Sequence, residues 1–126
     1  MAITRSTGAF LGTDESTFQS ISASTTANSA EKDLLGDNTS VGDIWLYLVV
    51  QGVAVSSIDI KINNRRITGQ VYAKDNFDIN VPTINGTKKV PLGKFPAARL
   101  MEIDVRNNDG ANAVSVFVGY ELEKVS

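Results

Sequence analysis

Residues 43–51 read Asp43-Ile44-Trp45-Leu46-Tyr47-Leu48-Val49-Val50-Gln51, seven apolar residues in a row between two polar ones. The run is too short for a helix of ordinary length. It is rich in aromatic and β-branched side chains, and being apolar on both faces it predicts a strand at the centre of a sheet, covered from both sides. On this reading Trp45, Leu46 and Leu48 are core.

The neighbouring segments repeat the strand signal with a period of two. Ile58, Ile60 and Ile62 alternate with Asp59 and Lys61; Phe77, Ile79 and Val81 alternate with Asp78 and Asn80; Ile103 and Val105 alternate with Glu102 and Asp104. Val114, Val116, Val118, Tyr120 and Leu122 keep the same spacing near the C-terminus, which places Val116 and Val118 in the core. Turn chemistry punctuates these runs: Gly36 to Thr39, Asn63-Asn64, Asp75-Asn76, and Asn107-Asn108-Asp109-Gly110. All three prolines fall in residues 82–96, which predicts a long irregular excursion with at most a short edge strand at 89–92. Residues 17–23 suggest an early strand. Residues 27–35 (ANSAEKDLL) leave two readings open, a short helical turn capped by Asn28 with Glu31 three residues on, or a second strand ending at Gly36. Seven or eight strands joined at intervals of about 8 to 12 residues predict an all-β single domain, an antiparallel β-sandwich of jelly-roll-like form over residues 17–126.

Residues 1–16 show neither strand nor helix period, with one apolar pair, Phe10 and Leu11. They are expected to form an extended N-terminal arm whose Phe10 and Leu11 anchor in a neighbouring subunit.

Composition narrows the chemistry. The 126 residues contain no histidine and no cysteine, which removes the usual nucleophile triads and the zinc, copper and iron–sulfur ligand sets. No cofactor and no metal are expected, and the chain is not expected to be an enzyme. Formal charge is -2 and the pI near 5.0, giving no global attraction for nucleic acid. No apolar run approaches the roughly 20 residues that span a bilayer, and the N-terminal residues lack an export signal, so no membrane partner and a cytoplasmic location before assembly are expected. Asp75, Asn76, Asp78 and Asn80 carry calcium-type oxygens, but their alternation with apolar residues makes them a strand's wet face. Glu102 and Asp104 likewise share a strand's wet face beside the turn that holds Asp109, rather than forming an acid/base pair. Arg65-Arg66 and Lys88-Lys89 with Lys94 are the basic groupings; Arg65 and Arg66 are expected at a hairpin tip, available for an acidic protein neighbour. Gly8 to Gly12 (GAFLG) lacks the lysine of a phosphate loop. Trp45 reads as core, since a sugar-stacking role would require it exposed.

The Ser/Thr-rich stretch SISASTTANSAEKDLLG leading into DIWLYLVV, the alternating strands, the Asn/Gly/Asp loops and the lack of His and Cys together resemble bacteriophage capsid accessory proteins, the cement, decoration and vertex proteins of jelly-roll or β-sandwich type. The resemblance implies a structural virion protein, homo-oligomeric, bound to the major capsid protein and to copies of itself through its arm and loops, with avidity over a closed lattice supplying the stabilisation. The alternative reading is a carbohydrate- or receptor-binding sandwich, which requires Trp45, Tyr47, Tyr72 or Tyr120 exposed together on one face.

Overall fold

The computed structural model describes residues 2–65 and 74–126. Every regular element among them is a strand: β1 (Ile3–Leu11), β2 (Gln19–Ile21), β3 (Thr26–Asn28), β4 (Lys32–Asp33), β5 (Val41–Arg65), β6 (Lys74–Pro96), β7 (Leu100–Asn107) and β8 (Val114–Val125). Residues 27–35 therefore hold no helical turn; their strand content is the end of β3 and the two-residue β4, and neither reaches Gly36.

β5 and β6 pair with each other along almost their whole length, from Asp43 opposite Pro96 to Arg65 opposite Lys74. This hairpin is bent double. The register slips between Gly52 and Val55, where Ala54 has φ +56°, and on the facing strand Thr83 (φ +47°) and Gly86 (φ +100°) also leave the extended region. Such a bulge lets both strands turn a corner without losing their pairing.

Beyond the corner each half belongs to a different layer. In the first, residues 41–52 of β5 lie between residues 86–96 of β6 and β8, and β8 is flanked in turn by β1 and β2. In the second, residues 55–65 of β5 lie between residues 74–84 of β6 and β7, and β7 is flanked by β3 and β4. Counted along the chain as eight rows, with β1 and β2 as one row and β3 and β4 as another, the sheets run 1-8-3-6 and 2-7-4-5. This order is a jelly roll.

The inner faces follow from period two. Ile44, Leu46, Leu48 and Val50, then Ile58, Ile60 and Ile62, point between the layers with Met101, Ile103, Val105, Val116 and Val118, and all are buried. They form one contiguous cluster. Phe77 of the second layer meets Phe95 of the first with ring centroids 5.2 Å apart, which shows that the layers touch through their inner faces.

Four sequence-based expectations change. Residues 3–11 are not an arm but β1, antiparallel to β8 from Ile3 opposite Val125 to Leu11 opposite Val118. A register slip between Ala9 and Leu11 turns the end of the strand, and Phe10 and Leu11 are buried in this chain's own core, Phe10 against Tyr120 at 5.2 Å. Their apolar area is used within the fold and leaves no anchor for a neighbour. Asn63-Asn64 and Asp75-Asn76 are not turns: Asn63 pairs with Asn76 and Asn64 with Asp75 inside the hairpin, and the Asn63 amide donates to Asp104 Oδ2 at 3.2 Å. Residues 82–96 are strand rather than excursion: among the described residues β6 pairs with β5 alone, and proline is tolerated on such an edge. Trp45 lies on the outer face of the first sheet and is 38 % exposed.

Candidate functional site

On β5, odd-numbered residues from 41 to 49 face outward from the first sheet while even-numbered ones face the core. Trp45 and Tyr47 therefore share the outer face with Asp43 and Val49. The strand register sets their neighbours in rows across the sheet. Lys94 of β6, Trp45, Glu121 of β8 and Thr7 of β1 make one row; Pro96, Asp43, Glu123 and Arg5 make the next; Pro91, Tyr47, Gly119 and Ala9 flank it on the other side.

Each row contributes a different chemistry. The Lys94 ammonium stands 5.3 Å from the Trp45 ring centroid and 3.6 Å from Asp43 Oδ2, so it covers the β6 side of the indole. On the β8 side the indole borders a groove of about 450 Å³ lined also by Arg5, Thr7, Glu121 and Glu123. The Arg5 Nε–H donates to Glu123 Oε2 at 3.0 Å, which holds the guanidinium at the groove wall. Glu121 is exposed and stands directly between Trp45 and Thr7.

Tyr47 is braced rather than mobile. Its ring leans on Phe117 with centroids 5.8 Å apart, the Lys89 ammonium sits 5.2 Å from its centroid, and Lys89 in turn bonds Glu15 at 3.1 Å. The ring also lies over Gly119, where a Cβ would come within 2.5 Å of Tyr47 Cζ. Only glycine leaves room for it.

The outer face of the second sheet is polar. Asp59, Lys61, Asp78, Asn80, Asp104 and Arg106 line a cleft of about 540 Å³ there. Two of its carboxylates are already engaged: Asp59 accepts from the Asn80 amide at 2.7 Å and the Asn108 amide at 2.9 Å, which hold its carboxyl below the usual range, and Asp104 accepts from Asn28 and Asn63. Asp78 and Asn80 stand on the outer face of β6, and Glu102 and Asp104 on that of β7, bridged by the Asn63 amide. Among the described residues no group of three or more such acids is placed to hold a metal ion.

Of the residues singled out in the sequence, the structure brings Trp45 and Tyr47 together on one face and sends Tyr120 to the other, inner, face, where burial pushes its phenol up. Phe10 and Leu11 are core. Arg66, Tyr72 and the side chain of Arg65 lie outside the described residues. Arg5, Thr7, Glu121 and Glu123 were not anticipated; the signal available was that Trp45 and Tyr47 share a parity with the polar residues Asp43 and Gln51.

No family model matches the chain, and no curated protein matches it. Among solved structures, one described as "Bacillus endospore appendages form a novel family of disulfide-linked pili" is 11 % identical over 98 % of this chain and 89 % of that one, with a TM-score of 0.48. Another, "Family 16 Carbohydrate Binding Module-2", is 13 % identical over 87 % of this chain and 77 % of that one, with a TM-score of 0.46. At this distance the likeness is one of outline, and function has to be argued from the residues.

Proposed function

We propose that this chain is a non-catalytic binding module that takes a neutral carbohydrate on the outer face of its first sheet. The observation that carries the reading is the exposure of Trp45 beside a groove walled by hydroxyl, carboxylate and guanidinium groups. A sugar ring has an apolar C–H face and a rim of hydroxyls. The indole offers a flat, rigid surface for the first, and Glu121, Glu123, Thr7 and Arg5 offer acceptors and donors for the second. The surroundings of Trp45 are fixed by strand register, so the platform needs no ordering when ligand arrives.

The test is isothermal titration against a panel of soluble neutral polysaccharides, with Trp45→Ala as the variant. Binding to at least one member is expected, weakened about tenfold or more in the variant, equivalent to about 1.4 kcal/mol, with thermal melting little changed. Equal binding by variant and parent contradicts the reading. Failure of the whole panel, with co-sedimentation of the protein on phage particles, would favour the capsid-lattice reading instead; the buried Phe10 and Leu11 remove its proposed anchor, but the exposed Ile3 and Val41 on the same sheet leave it a contact surface.

A further inference from the structure

The jelly roll has four sheet edges, and their chemistry is unequal. Residues 86–96 of β6 carry Lys88, Lys89, Lys94, Pro91 and Pro96; residues 74–84 carry Pro82 and a kink at Thr83; β3 and β4 are three and two residues long. Lysine, proline, kinks and shortness are the devices by which an edge is kept from pairing with another chain. Up to the slip after Ala9, β1 has none of them. Its nine residues, ITRSTGAFL, contain no proline and one charge, Arg5, which is occupied by Glu123.

The hydrogen-bond phase of this edge is known. Ala2 and Ser126 exchange both backbone bonds, at 3.1 and 3.0 Å, so the pairs with β8 alternate from there. Thr4, Ser6 and Gly8 spend their N–H and C=O groups on β8. Ile3, Arg5, Thr7 and Ala9 aim theirs away from it, and among the described residues nothing receives them. Ile3 is also 59 % exposed.

We infer that β1 is a pairing edge for a second copy of this chain, antiparallel across a two-fold axis at Ser6. The strand is self-complementary in that register: Ile3 faces Ala9 of the second copy and Arg5 faces Thr7, so the one charge never meets itself, and the regular part of the strand, up to the slip after Ala9, overlaps in full. The two first sheets become one continuous sheet and Ile3 is covered. Because Arg5, Ser6 and Thr7 also line the Trp45 groove, the two grooves flank the axis on one surface. The inference stands independently of what the groove binds.

The measurement is mass in solution by sedimentation or light scattering, for the parent and for Thr7→Pro. The Thr7 N–H belongs to the free edge, so proline there removes no bond within the chain. The parent is expected at twice the 13.5 kDa chain mass and Thr7→Pro at the single mass with cooperative melting retained. Ser6→Cys supplies a second readout in a chain that has no cysteine of its own. Across the axis the two Ser6 form a non-hydrogen-bonded pair, at a Cα separation of about 4.5 Å that a disulfide spans, so mild oxidation should give a covalent dimer. Thr4→Cys, which faces Gly8 in this register, should not. A parent that stays at single mass up to about 100 μM, far weaker than the stable interfaces of comparable proteins, overturns the inference; so does a folded Thr7→Pro that remains a dimer, or equal cross-linking by Ser6→Cys and Thr4→Cys.

Discussion

Gly119 and Tyr47 depend on each other. A methyl group at position 119 would stand 2.5 Å from Tyr47 Cζ and 2.8 Å from Phe117 Cε2, so Gly119→Ala must drive the tyrosine off its seat. Overpacking of this kind costs roughly 1 to 3 kcal/mol, and the lowered melting temperature should be accompanied by weaker ligand binding, because Tyr47 adjoins the Trp45 platform. Loops depend instead on carboxylates. Asp109 accepts backbone N–H bonds from Asn112 at 2.7 Å, Ala111 at 3.0 Å and Ser56 at 3.1 Å, and Asp37 accepts from the Ser40 and Thr39 backbone and hydroxyls. These bonds favour the ionised form and hold both carboxyls below their ordinary value of 3.8. A folded-state value lower than the unfolded one adds stability above the unfolded value and loses it as pH falls through the folded one. Thermal midpoints should therefore stay level from neutrality to about pH 5 and decline below about pH 4, and Asp109→Asn should be less stable at neutral pH with a shallower acid decline. An identical pH profile for that variant would show that Asp109 has no such role.

Leu48 sits at the middle of the first half of β5, fully buried, and Leu48→Ala should cost about 2 to 5 kcal/mol in denaturant unfolding; a loss under 1 kcal/mol would mean that this strand is not the centre of the core. At the corner, Ala54 has φ +56°, a conformation that costs an L-residue roughly 1 to 2 kcal/mol and glycine little, so Ala54→Gly should leave stability unchanged or raised despite glycine's greater entropy loss. Most strands were legible, since period two marked β7, β8, the second half of β5 and residues 77–81 of β6, and the unbroken apolar run marked the first half of β5. Their continuity was not. Asn63-Asn64 carries turn-type residues, yet Asn63 is held within β5 by cross-strand bonds to carboxylates of β7, which no local propensity encodes. The three prolines of residues 82–96 hid a strand because the sequence does not say which strand will be an edge. β1 was invisible for a related reason: at its open end Thr4 and Ser6 face inward yet remain exposed, so the alternation that marks a half-buried strand is missing. The parity shared by Asp43, Trp45 and Tyr47 did mark one face of β5 as the wet one, but the dense apolar run outweighed it.

For the whole molecule, two layers built from one folded hairpin give a rigid body with two dissimilar outer surfaces, one aromatic and one of paired acids and amides. Far-ultraviolet circular dichroism should be that of a β protein; a spectrum with a third or more helix would contradict the architecture. Pairing through β1 would place two aromatic faces side by side, and two weak sites held together bind an extended polymer far better than either alone. Everything functional in this account rests on Trp45, and it is the one tryptophan in the chain, so its fluorescence reports on that surface and nothing else. The most direct measurement is emission from the intact protein titrated with the same polysaccharide panel. A solvent-exposed spectrum is expected for the free protein, with a saturable blue shift or quench on adding a binding polysaccharide and the titration moved to higher ligand concentration in Glu121→Ala. Emission of a buried indole in the free protein, or a spectrum unmoved by a polysaccharide that calorimetry shows to bind, would contradict it.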